Sequence, residues 1–180
     1  MAHVLSGITV FDPDGRETRL GALWADRIAV LVFVRHFGCL FCRQQVAAIG
    51  PLRERVQSLG GELFVIGHGN LEQTRAFRDE QPAPFPLFTD PTRQAYCALE
   101  MRRDPRSVLT AGVLGRAILA RARGFQQSRV AGDPFQQGGV VVIAPPGVER
   151  YRFISREAGD HPAASEILAA LDTDGTWRPT

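Results

Sequence analysis

Residues 27–34 read RIAVLVFV, and seven of the eight are apolar. A strand with one wet face alternates polar and apolar side chains. A run this uniform is buried on both faces, as in the middle of a sheet covered by helices on each side. A second run of the same kind, ELFVIGH, occupies 62–68. Between them, CRQQVAAIGPLRERVQSL (42–59) carries Val46, Ile49, Leu52, Val56 and Leu59 at helical spacing. Pro51 inside this segment is expected to kink it, and Gly60-Gly61 to end it. Strand, helix, strand in that order implies parallel pairing through a right-handed crossover.

The rest of the chain extends this unit. ITVFDPDGRETRL (8–20) places Asp-Gly between two extended pieces and predicts a hairpin. LEQTRAFRDE (71–80) predicts a helix and PLF (86–88) a short strand. Asp90-Pro91 is expected to cap and open a helix over 91–100, and Asp104-Pro105 another over 105–123. Residues 138–155 read as a strand, a Pro-Gly turn and a strand, and HPAASEILAAL (161–171) as a closing helix. The expected architecture is α/β: a central mixed sheet flanked by helices, with an N-terminal β-hairpin extension. No repeat, linker or low-complexity stretch interrupts it, so a single domain over 1–180 is expected. With 44 % hydrophobic residues in 180, the chain can bury a sufficient core without staples.

The chemistry concentrates in FVRHFGCLFCRQQ (33–45), where Cys39 and Cys42 stand two residues apart. Cys39 falls where the first buried strand ends and a helix begins. Reaction sites of parallel sheets gather at the carboxyl ends of strands. A helix N-terminus offers unpaired N–H groups and partial positive charge. Both favour thiolate over thiol, and Arg35, His36 and Arg43 stand close enough in sequence to add positive potential. Cys42, one turn on, is within reach of Cys39 and suits a resolving role. Two alternatives stand beside the redox pair: two buried structural thiols, and a zinc site built on His36, Cys39 and Cys42, which lacks a second ligand pair. The third cysteine, Cys97, reads as a core residue beside Tyr96 and Leu99.

Other features have narrower readings. His68, in GHGN (67–70), follows a strand and sits at the same sheet end as Cys39; it is a candidate proton carrier, or a loop histidine bonded to backbone. The Gly-x-Gly there is no dinucleotide fingerprint, because Glu72 replaces the third glycine. Phe33, Phe37 and Phe41 line the thiol site or pack the core. The helix at 105–123 mixes apolar residues with Arg106, Arg116, Arg121 and Arg123, and is a candidate surface for a homodimer or another partner.

A net charge of +2 calls for no nucleic acid. All 21 basic residues are arginine, a composition that fits a GC-rich coding bias. No apolar run approaches the ~20 residues that span a bilayer. The start, MAHVLSGITV, lacks the basic and apolar regions of a signal peptide. A cytoplasmic setting is therefore expected, and there a close cysteine pair points to redox or metal chemistry and not to a structural staple.

FVRHFGCLFCRQQ, VIGHGNLEQTRAF, LFTDPTRQAY and GDPFQQGGVVVI together resemble the peroxiredoxin-like family of the alkyl hydroperoxide reductase/thiol-specific antioxidant (AhpC/TSA) superfamily. The resemblance runs over roughly residues 5–170. It implies a thioredoxin-like fold and a thiol-dependent oxidoreductase that uses no metal and no bound organic cofactor. It makes Cys39 the nucleophile and Cys42 its partner. It also implies a peroxide or disulfide substrate, and re-reduction by a thiol donor such as a thioredoxin or glutathione system. Val32 and His36 stand where that family's peroxidases carry Pro and Thr or Ser. Gln137 lies near the place of an arginine that they bring from a later strand, and Arg35 is its candidate substitute. His36, Phe37, Gly38, Gln137 and Gly138 are the expected substrate-binding positions, the glycines allowing close backbone approach.

Overall fold

The computed structural model describes residues 2–80, 85–105, 111–124 and 132–172. After a short helix α1 (Ala2–Ser6) come β1 (Thr9–Phe11) and β2 (Glu17–Arg19), then a 3₁₀ turn over Leu20–Trp24. The core follows as β3 (Ile28–Phe33), α2 (Leu40–Ser58), β4 (Gly61–Gly67), α3 (Leu71–Asp79) and β5 (Leu87–Thr89). Then come α4 (Gln94–Ala98), α5 (Ala111–Ala122), β6 (Gly139–Ala144), β7 (Val148–Ile154) and α6 (Ala164–Asp172).

Seven strands form one mixed sheet in the order β2-β1-β5-β4-β3-β6-β7. β3 pairs parallel with β4, and β4 with β5. β6 adds antiparallel to β3, and β7 to β6. The expected hairpin forms as β1–β2 and extends the sheet beyond β5. Its turn is closed by Asp12, whose carboxylate accepts from the backbone N–H of Asp14 and Arg16.

The apolar runs are explained by two cores, one per sheet face. Val30, Val32, Val65, Val140 and Val142 pack with Val46 and Val56 of α2, Phe77 of α3, Ala120 of α5 and Ile167 of α6. The alternate residues Ala29, Leu31, Phe33, Ile66, Val141 and Ile143 pack with α1, the 3₁₀ turn and Tyr96 and Leu99 of α4 and its end. Each buried Val, Leu or Phe contributes roughly 1.5–3 kcal/mol, so the six buried residues of β3 anchor the molecule.

Several boundaries differ from the sequence reading for local reasons. α2 runs unbroken through Pro51 and ends at Ser58, so Leu59 falls past its end and is exposed. The helix expected from Pro91 starts at Gln94, because Asp90 first closes a turn: its backbone carbonyl accepts from Arg93 N–H and its carboxylate from Thr92 Oγ1 and Ala95 N–H. The expected helix over 105–123 is described from Ala111, and 106–110 lie outside the described residues. Cys97 is exposed and not in the core, since Ala95, Tyr96 and Leu99 take the inward side of α4 and its end. α1 and the 3₁₀ turn are additions that the sequence reading did not contain.

Gly138 sits where β6 leaves its loop beside the end of β3. A Cβ there would lie 2.1 Å from the Phe33 carbonyl oxygen, so only glycine lets the two backbones meet. Gly138→Ala is therefore expected to lower stability by about 1–3 kcal/mol, read as a drop in the urea midpoint without a change of slope.

Candidate active site

β3 ends at Phe33, and the chain turns through Val34–Gly38 before α2 begins. The turn is closed by Cys39 N–H donating to the His36 carbonyl at 3.1 Å. Cys39 takes the N-cap position with an extended backbone, φ −73° and ψ 126°. Cys42 lies inside the first helical turn. The sequence placed both cysteines correctly relative to strand and helix, and the structure adds what surrounds them.

Cys39 and Cys42 are buried, both as free cysteines. The two thiols are hydrogen-bonded to each other, and this bond is the largest influence pulling the Cys39 thiol down, to about 6. Burial opposes the shift; the Arg35 charge and the backbone N–H groups of Cys42 and Phe41 reinforce it. Cys42 moves the opposite way, pushed well up by burial and then by the bond to Cys39 and its charge. The surroundings thus favour the thiolate at Cys39 and the thiol at Cys42.

Arg35 serves both sulfurs. Its backbone N–H donates to Cys42 Sγ at 3.3 Å, and its Nη1 donates to Cys39 Sγ at 3.5 Å. Nη2 donates to the carbonyl of Pro134 at 2.6 Å. The guanidinium is buried, with the residue only 4 % exposed, so its charge acts on Cys39 with little screening by water. The sequence offered Arg35 as the substitute for an arginine from a later strand, and its guanidinium lies against Cys39. The bonds of Gln137 run instead to loop backbone: its N–H to Arg102 O and its Nε2 to Phe135 O.

The remaining sequence candidates separate. His36 is buried beside Arg35 and His68, and its Nδ1 has no hydrogen-bond partner among the described residues. Burial, then the charges of Arg35 and His68, hold it down at about 4, so it is neutral. His68 Nε2 bonds to the Arg35 carbonyl and its ring stands edge-on to Tyr96, the backbone-bonded role. Phe37 packs on Phe77 beneath Gly67 and Gly69, where any Cβ would strike its ring; it wedges the loop into the core. Gly38 lies buried in the turn next to Cys39. Gly138 accommodates the Phe33 carbonyl. Arg43 belongs to α2, and its side chain lies outside the described part of the structure. Among the described residues, no group of three or more His, Cys, Asp or Glu side chains comes together as a metal site.

Two features escaped the sequence. His161, from the loop before α6, hydrogen-bonds to the Phe41 backbone and is held down at about 4, chiefly by burial. It borders a cavity of about 410 Å³ along α2, lined by Phe41, Leu52, Val140 and Ile167 with Arg116 and Arg123. The second is the Pro134 carbonyl, an acceptor for Arg35 within the loop of Gly132–Gln137. A backbone acceptor leaves no mark in a residue pattern.

A buried cysteine pair held by an arginine thus stands at the carboxyl end of a strand in a seven-stranded mixed sheet. Residues 50–157 match the AhpC/TSA antioxidant enzyme family. The chain belongs to that family. It is 31 % identical over 179 residues to the thioredoxin-like protein AAED1, chloroplastic, of Arabidopsis thaliana, covering 94 % of this chain and 72 % of that one. It is also 31 % identical over 166 residues to the prostamide/prostaglandin F synthase of Salmo salar, covering 88 % and 81 %. Peroxiredoxin Q of Xanthomonas campestris superposes with a TM-score of 0.67 over 94 % of this chain and 92 % of that one, at 15 % identity. That likeness establishes the thioredoxin-like fold. The family match begins after Cys42, so the roles of the two cysteines rest on their geometry.

Because the Cys39 ionisation is lowered on folding, its contribution to stability is complete above the ordinary cysteine range and is lost as pH falls through about 6. Urea unfolding of the reduced protein should show a gain in stability between about pH 6 and about pH 8.5 that Cys39→Ser lacks. Equal pH slopes for the two proteins would contradict a thiolate at Cys39.

Proposed function

We propose that this protein is a thiol oxidoreductase in which Cys39 is the nucleophile and Cys42 the resolving thiol. The thiol-dependent redox character goes with membership of the AhpC/TSA family. The observation that carries the finer assignment is the paired shift of the two thiols around Arg35. A thiolate attacks, and a neighbouring thiol kept protonated does not compete.

With a peroxide, the Cys39 thiolate attacks the outer oxygen of R–O–O–H and the O–O bond breaks. Cys39 becomes a sulfenic acid, and the alkoxide leaves as the alcohol after taking a proton. Cys42 then attacks the sulfenic sulfur, its proton leaves with the expelled hydroxide as water, and a Cys39–Cys42 disulfide remains. Two electrons from a thiol donor, a thioredoxin or glutathione system, restore both thiols. With a disulfide substrate the same thiolate forms a mixed disulfide, which Cys42 resolves. Arg35 holds the thiolate and is placed to meet the leaving oxygen. His36, neutral and with a free Nδ1, is a candidate hydrogen-bond partner for the substrate, at the position where the family's peroxidases carry a hydroxyl.

The apolar cavity that shares Phe41 with the Cys39–Cys42 turn favours an organic substrate over hydrogen peroxide alone. The Salmo salar relative is named for a prostamide and prostaglandin product, which fits the same reading. A cytoplasmic location suits a cycle that starts from reduced thiols. No described helix is long and apolar enough to cross a membrane. Leu114, Ile118 and Leu119 stand exposed on α5, which makes that helix the candidate contact of a homodimer.

An organic hydroperoxide added to reduced protein should form one Cys39–Cys42 disulfide per chain. Cys39→Ser should lose turnover by about a hundredfold or more. Cys42→Ser should stop after one equivalent with a sulfenic acid that dimedone traps. Unchanged thiol counts after excess hydroperoxide, with turnover of a model disulfide, would assign disulfide reduction instead. Oxidation without turnover by any thiol donor would make the pair a redox sensor.

A further inference from the structure

We propose that Asp133 is a positioning residue for the thiol chemistry: it fixes the Pro134 carbonyl that aims the Arg35 guanidinium at Cys39. The inference rests on Cys39 being the nucleophile and explains how a loop remote in sequence sustains it.

Arg35 is held at few points. Nη1 reaches Cys39 and Nη2 reaches Pro134 O, while Nε has no hydrogen-bond partner among the described residues. The Pro134 carbonyl is thus the acceptor that sets the direction of the head group. Pro134 has no backbone N–H of its own to be held by. Its conformation is set by its neighbours. Asp133 Oδ1 accepts from Phe135 N–H at 3.0 Å, closing a turn around Pro134. Asp133 Oδ2 accepts from Arg93 Nη1 at 2.8 Å and Arg103 Nε at 2.6 Å. Burial alone would raise this carboxyl, but Arg103, Phe135 N–H and Arg93 keep it below its ordinary range and ionised.

The anchors come from two separate segments. Arg93 is the residue before α4, and Arg103 lies in the strand-like stretch that bridges Gln136. Arg103 also lies 5.6 Å above the Phe135 ring. Gln136 Nε2 donates to Met101 O and Gln137 N–H to Arg102 O, so the loop is fastened along its length. Asp133 is the one side chain of this loop that bonds to both arginines and to the backbone beyond Pro134. Gly132, with φ +108°, leaves room for the His68 ring, where a Cβ would come within 2.6 Å of Cε1, and that ring is bonded to the Arg35 carbonyl. The loop therefore holds the head group of Arg35 directly, through the Pro134 carbonyl.

The sign of the effect separates this role from simple charge. Around the sulfurs, His36 and His161 are neutral and His68 is shifted the same way by burial. Arg116, whose charge also acts on His161, is paired with Glu157. Among the described residues, Arg35 is then the cation whose charge acts on Cys39. The Asp133 carboxylate is an anion on the same side, interacting with His36 and His68. Removing it as a mere charge would favour a thiolate and lower the Cys39 ionisation. Removing it as a positioning group frees Pro134, lets Arg35 swing away and raises that ionisation.

The test is the pH profile of Cys39 alkylation in the full reduced protein, resolved by peptide mass spectrometry from Cys42 and from the exposed Cys97. In Asp133→Ala the midpoint should rise by about one unit, so that about tenfold less Cys39 reacts at pH values below the midpoint. Asp133→Asn keeps the turn acceptor and should rise by less, in the same direction; it decides the matter alone if the alanine variant does not fold. A midpoint that stays or falls in a folded variant overturns the inference, with the redox reading intact. A wild-type midpoint in the ordinary cysteine range, about 8.5, overturns both.

Discussion

Six consecutive buried residues in β3 leave neither face of that strand free to meet water, so helices must cover both. The valines at 30 and 32 go to one core, and Leu31 and Phe33 to the other. Parallel pairing with β4 then requires a crossover, and α2 supplies it. A strand pinned on both sides delivers its C-terminal end to a fixed place. The chain must leave that end and enter α2 within a few residues, so the helix N-terminus, with its unpaired N–H groups, lies at the carboxyl end of this interior strand. Cys39 sits at this junction because the core has no other way to connect.

Burial also explains why the chemistry is divided between the two sulfurs. In the low-dielectric interior a charge is costly unless something specific holds it. Arg35 supplies one counter-charge, and the two cysteines compete for it. The thiolate settles on Cys39, which meets the Arg35 head group, the Cys42 thiol and the first helical N–H groups. Cys42 lies deeper and is fully buried, so desolvation decides its state first. The helix end alone would not make this distinction, since both cysteines lie within its first turn.

Much of this was legible in the chain. The two apolar runs gave the parallel core, Asp14-Gly15 gave the hairpin, and the change from strand to helical spacing placed Cys39 at the helix start. What stayed hidden has physical reasons. α1 and the 3₁₀ turn are too short to show a period. Cys97 was misplaced because a five-residue helix gives too few positions to fix its inward side. Phe37 was open to two readings, lining the thiol site or packing the core; Gly67 and Gly69 clear a space for its ring on β4 and the loop after it, a match visible only in three dimensions. Arg35 was visible as a neighbour of Cys39. Its aim depends on Pro134 O, 99 residues away, and a carbonyl carries no residue-type signal.

The reciprocal shifts also give the proposed cycle an order. After burial, the causes that push Cys42 up are its bond to Cys39 and the Cys39 charge. Both vanish once Cys39 has become a sulfenic acid or a mixed disulfide. The His36 backbone N–H and the Arg35 charge, which act to lower Cys42, then remain without the opposing thiolate. Cys42 gains nucleophilic character only after Cys39 has reacted, and stays a protonated donor until then. A resolving thiol under this control does not compete for substrate, and its attack is triggered by the loss of the charge it had been stabilising. The same stabilisation of the reduced thiolate makes the disulfide easier to reduce, because whatever favours the dithiol state raises the potential of the couple. One buried arginine thus bears on the first attack, the order of the second and the ease of recycling.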